Sequence, residues 1–181
     1  MKDTELIKER IYTLVKLGTF ELFEFLKITE IRFDDKRVNS AAITCSFNPI
    51  LLLNKEFIDN YCKSNEHLFM LIMHELYHLI LGHTYILKSH SLIDNIVFDA
   101  VINSILCKRF NENKFTSFFI TINDDSNFPS CLLRPIGKNT PLRFLNILKR
   151  LYFSNICTYL ELYEIVCKEY KNILDNRKLA Y

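Results

Sequence analysis

Glycine is scarce in this chain: three residues in 181, at Gly18, Gly82 and Gly137. That scarcity argues against glycine-rich phosphate loops and against a turn-rich all-β sandwich. There is no tryptophan and there are four prolines, so little punctuates the chain into short strands. Charge of one sign is missing too. Lys and Arg number 23 against 21 Asp and Glu, a net charge of +2, which gives neither a basic field for nucleic acid nor an acidic tail. No apolar run comes near the ~18 residues of a membrane span, and the N-terminal MKDTELIKER lacks the uninterrupted apolar stretch of a signal peptide. The six cysteines include no CxxC pair, which speaks against a zinc ribbon or a thioredoxin-type site. Cys45, Cys107 and Cys167 sit inside apolar patterns and read as free thiols in a reducing cytoplasm.

What is present is the ordinary balance of a globular domain, 49% hydrophobic and 24% charged, and the length suits a single domain over 1–181. Apolar residues at helical spacing predict a helix over 3–26, or two broken near Gly18. Alternation predicts strands over 28–33 and 42–47, and a short apolar run predicts another over 50–53, together a small antiparallel sheet. Asn54 and Ser64 are helix N-caps, the second opening a nearly all-apolar helix over 68–81 that Gly82 stops. A linker is expected over 84–91 and a second apolar helix over 92–110. Residues 111–140 read as a loop with one short strand at 118–122, and helices follow near 141–153 and 158–173. The fold class is α+β, with a small sheet on a mainly helical core.

Only His74, Glu75 and His78 interrupt the apolar helix, and they form an HExxH. Two histidines four apart lie about 40° apart around a helix axis, so both imidazoles point one way and suit one tetrahedral zinc. The glutamate beside the first histidine then reaches the water at the open position and serves as general base. Burying two imidazoles and a carboxylate without partners costs several kcal/mol, and a metal offsets that cost. The third ligand has two candidates. His83, five residues past His78, would stand about 180° from His74 if the helix continued. Asp99 lies on the second apolar helix in a polar stripe with Asn95 and Asn103, four residues apart, and is favoured. Asn95 and Asn103 would orient the ligands. His83 suits a helix C-terminus better. His67 is two turns from His74 and reads as a helix-start or surface residue. Tyr77 and Tyr85 read as packing, and Arg134 is a candidate oxyanion donor in an irregular loop.

Three blocks carry a family resemblance: Asn48-Pro-Ile-Leu-Leu-Leu-Asn54, then the stretch from Leu71 to His83, then Asn95-Ile-Val-Phe-Asp-Ala-Val-Ile-Asn103 and on to Leu106. Over residues 40–110 they resemble the metallopeptidase-like domain that often precedes a von Willebrand factor A-like domain in bacterial and phage proteins. The resemblance implies a zincin-like α+β fold and peptide-bond hydrolysis. It maps the zinc ligands to His74, His78 and Asp99, and the base to Glu75. The substrate is then a peptide or protein, docked on an edge strand such as 42–47. No nucleic acid or membrane partner is expected. The rival reading keeps the zinc but makes the domain an interaction module, which would not need Glu75.

Overall fold

Among the described residues, eight α-helices and one small three-stranded sheet make the fold mixed α+β. The computed structural model describes residues 2–14, 19–28, 30–44, 46–83, 91–154 and 157–178. In chain order the elements are α1 (Lys2–Tyr12), α2 (Phe20–Leu26), β1 (Glu30–Phe33), β2 (Ala41–Ile43), β3 (Ile50–Leu53), α3 (Lys55–Tyr61), α4 (Asn65–Ile80), α5 (Leu92–Arg109), α6 (Asn113–Ile122), α7 (Leu142–Lys149) and α8 (Tyr159–Lys178). They fall into two compact units. One comprises Met1–Leu87 and Phe110–Ile122, the other Lys88–Arg109 and Asn123–Tyr181.

In the first unit the strand order is β1-β3-β2. The pairing is mixed rather than antiparallel: β1 runs parallel to β3 (Glu30 opposite Ile50), and β2 runs antiparallel to it (Ala41 opposite Leu53). The reason lies in the connection. A tight turn would have paired β1 with β2, but residues 34–40 span the width of an intervening strand, and β3 takes that place. Asn54 locks the arrangement. Its backbone N–H donates to Ser40 O, its side-chain amide donates to Val38 O, and its Oδ1 accepts from Phe57 N at 2.7 Å to cap α3. β2 is shorter than the alternation over 42–47 suggests. The backbone bends at Ser46 to Asn48, where Ser46 Oγ donates to Asn48 O and Phe47 is fully exposed, and Cys45 lies outside the described residues.

Ser64 Oγ accepts from His67 N and opens α4, as its cap position predicts. Residues Leu68 to Met73 are all buried, and the helix packs against α1, α2, α6 and β2. At its end Leu81 N donates to Tyr77 O and Gly82 N to Leu79 O, with Gly82 at φ 67°. Glycine takes that left-handed conformation without a Cβ clash, so the stop assigned to Gly82 is the observed one.

The strand expected at 118–122 is instead the second half of α6. Its composition of Phe, Ile and Thr favours strands, but Phe115, Phe118 and Phe119 recur at three and four residues and are all buried. Phe115 meets Phe69 of α4 with ring centroids 5.7 Å apart. Packing of that aromatic row outweighs β propensity, which measures fit to a half-buried surface rather than a backbone preference.

In the second unit both long helices begin with a capping box. Ser91 and Asp94 exchange backbone-to-side-chain bonds at the start of α5, and Thr158 and Glu161 do so at the start of α8. α5 packs on α8 and on the turn Arg150–Ser154, to which Lys108 Nζ is tied through Leu151 O. Of the linker expected over 84–91, residues 84–90 lie outside the described residues, as does Gly18. Among the described residues no helix is long and apolar enough to cross a membrane.

Candidate metal centre

α4 is a buried helix with a polar notch near its C-terminal end. His74, Glu75 and His78 are half-buried, while Met73 before them and Leu76 and Tyr77 between them are buried. The four-residue spacing stacks the two imidazoles on one face: their centroids are 4.9 Å apart with the rings at 70°, and His74 Nε2 lies 3.2 Å from His78 Nε2. Phe119 of α6, 1% exposed, flanks His74 with its ring centroid 6.4 Å away.

That separation provides a test of fit. Two nitrogens bound to one tetrahedral zinc at ~2.0–2.1 Å stand about 3.3 Å from each other. The observed 3.2 Å matches, so the pair can share an ion with little movement. Asp99 lies half-buried on α5 between buried Phe98 and Ala100. His74 and His78 belong to the first unit and Asp99 to the second, so the two imidazoles are the described pair and Asp99 is the carboxylate that the sequence assigns to them. That donor set suits zinc in type and number.

The neighbouring candidates sort themselves by what they touch. His83 is buried, 5% exposed, and its Nδ1 lies 3.3 Å from His78 Nδ1. His67 is buried rather than at the surface. Its Nδ1 lies 3.2 Å from Tyr61 O and its Nε2 2.9 Å from Ser117 Oγ, so both ring nitrogens are engaged in joining α3, α4 and α6. Tyr77 donates its hydroxyl to Glu21 Oε1 at 2.9 Å, and both residues are buried; this bond pins α4 to α2.

Asn103 is buried and donates its amide to Leu133 O, while Asn95 is exposed. Arg134 donates to Asn123 O at 2.8 Å and to Pro135 O at 3.3 Å, bonds that brace its own loop. Tyr85 and His90 lie outside the described residues.

Two features went unread in the sequence: the His83 contact with His78, and the Glu21 partner of Tyr77. The first had a local signal, a glycine between the helix end and a further histidine. The second joins residues 56 apart and had none. No protein-family model, curated protein or solved structure matches this chain.

Proposed function

We propose that this chain is a zinc-dependent metallopeptidase of zincin-like fold that hydrolyses peptide bonds, with His74, His78 and Asp99 holding zinc and Glu75 as general base. The observation that carries the reading is the 3.2 Å approach of the His74 and His78 Nε2 atoms on an otherwise buried helix. Two facing nitrogen lone pairs repel each other unless a cation or a proton lies between them, and a zinc ion suits the distance. The half-buried carboxylate of Asp99, set between buried Phe98 and Ala100, supports the third position by its type. The resemblance over residues 40–110 supports the peptidase class.

Zinc, when bound, polarises the scissile carbonyl and lowers the pKa of a water toward neutrality. The chain's own residues do the rest. The α4 backbone fixes both imidazoles, because neighbouring turns of a helix cannot slide past each other. Glu75 follows His74 by about 100° of helix rotation, so its carboxylate stands beside the ligand pair rather than within it. There it accepts the proton of the attacking water and passes it to the leaving amine nitrogen. Phe119 walls one side of His74 and lowers the local polarity, which strengthens each electrostatic contact. The five described cysteines are all free thiols, which supports a reducing, cytoplasmic setting.

Zinc content and proteolysis of three proteins test the reading. Wild-type protein should carry one zinc per chain, and His78→Ala should carry almost none. Glu75→Gln should keep its zinc and lose roughly 10²–10⁴-fold in kcat on an unstructured protein substrate. Equal, negligible zinc in wild type and His78→Ala would overturn the proposal. Stoichiometric zinc with proteolysis unchanged in Glu75→Gln would leave a zinc-binding interaction module in place of an enzyme.

A further inference from the structure

His78 has a partner at each ring nitrogen. Nε2 faces His74 Nε2 at 3.2 Å, and Nδ1 lies 3.3 Å from His83 Nδ1. A neutral imidazole has one N–H and one lone pair. If Nε2 turns its lone pair to a metal, the proton sits on Nδ1, and the atom opposite must accept it. His83 Nδ1 accepts as a lone pair, which places the His83 proton on its own Nε2. We propose that His83 is a positioning residue: it accepts the His78 Nδ1 proton, and so fixes the tautomer and ring angle with which His78 presents Nε2 to the metal. This inference rests on the reading of His74 and His78 as metal ligands.

The fold builds this contact deliberately. On a continued helix His83 would lie about 140° around from His78 and could not face it. Gly82 at φ 67° reverses the chain's course within one residue. The His83 ring then sits with its centroid 5.3 Å from that of His78, at an interplanar angle of 76°, so one ring presents its edge to the other. His83 is 5% exposed, so water competes little for the bond. A metal-bound histidine normally donates its outer N–H to a carboxylate or a backbone carbonyl. A neutral imidazole acceptor orients the ligand equally well but adds no negative charge, so it raises the ligand's basicity less. The metal is left a stronger Lewis acid than it would be beside a carboxylate. His83 therefore shares the cluster with the two ligands without being one.

The test compares wild type with His78→Ala, His83→Leu and His83→Asn. The Asn side chain places Oδ1 close to the position of Nδ1 and restores an acceptor, whereas Leu fills space without one. Zinc affinity is read by competition with a chromophoric chelator, and site geometry by the visible bands of bound cobalt(II). The His78 Nδ1–H is followed by nitrogen-edited NMR of the zinc-loaded protein. Far-ultraviolet circular dichroism checks folding of each variant. His83→Leu should still bind one zinc, but about 10–100-fold more weakly, with altered cobalt bands and a fast-exchanging His78 proton. His83→Asn should recover most of the affinity and the slowly exchanging proton.

Affinity, bands and proton unchanged in His83→Leu, while His78→Ala loses the metal, would overturn the role of His83 alone. Loss of zinc in both His83 variants as complete as in His78→Ala would also overturn it, by making His83 a ligand. Absence of zinc from wild-type protein would overturn the metal reading and this inference with it.

Discussion

At the scale of single residues, the proposed metal centre depends on a few side chains whose neighbours leave them little freedom. Asp99 is the third ligand proposed, and it comes from a different helix than the two histidines. Asp99→Ala is expected to weaken zinc binding more than tenfold while leaving the fold intact, measured by isothermal titration. An unchanged affinity would remove it from the ligand set. Gly82 shows how a residue with no side chain shapes a site. Any L-residue at its φ of 67° brings Cβ against the backbone at a cost of roughly 1–2 kcal/mol. Gly82→Ala should lower stability by about that amount in urea unfolding, and the alanine protein should bind zinc more weakly because His83 loses its approach to His78.

At the scale of elements, helix termini hold much of the specific bonding. The Thr158–Glu161 box at the head of α8 is the clearest case. Thr158 N donates to Glu161 Oε2 at 2.9 Å, and Arg150 adds a 2.7 Å bond to Oε1. The Thr158 backbone bond first, and Arg150 next, bring the Glu161 carboxyl down to about 2. A carboxyl depressed on folding contributes stability above its ordinary pKa of ~4.3 and loses that contribution as pH falls through its folded value. The urea midpoint of wild type should therefore fall between about pH 4.5 and pH 2 by more than that of Glu161→Gln, and the two curves should converge near pH 2. Parallel curves would show that the box contributes nothing.

Elements also mark where pattern reading works. α3 and α4 begin within a residue or two of the caps that Asn54 and Ser64 provide, because a cap is a local bond between residues three apart. The Phe, Ile and Thr content of α6 matches both periods over so short a stretch, so its sequence alone predicts loop and strand. The aromatic face of α4 at Phe69 selects the helix. The parallel pairing of β1 with β3 is non-local in the same way, since it depends on which strand enters the gap that residues 34–40 leave.

At the scale of the molecule, the thiols report on burial. Burial pushes Cys62 and Cys107 up to about 12 and Cys131 up to about 11. Thiolate is the reacting form, so these three should resist alkylation in the native protein at pH 8 and react fully after denaturation. Half-buried Cys157 and Cys167 should label first. Mass spectrometry of iodoacetamide-treated protein checks the order, and early labelling of Cys107 would contradict the packing of α5.

The sequence by itself determined the helix that carries the proposed centre, its start and stop, and the face on which His74 and His78 meet, because each follows from bonds and rotations within a few residues. It also raised Asp99 and Glu75 by type and spacing. Tertiary structure decided the rest. It set the mixed order of the sheet and turned 118–122 into helix through aromatic packing. It engaged both nitrogens of His67, gave Tyr77 the buried Glu21 as acceptor, and brought His83 back against His78. Those outcomes depend on which surfaces exclude water from one another, and that is a property of the packed chain rather than of any short stretch of it.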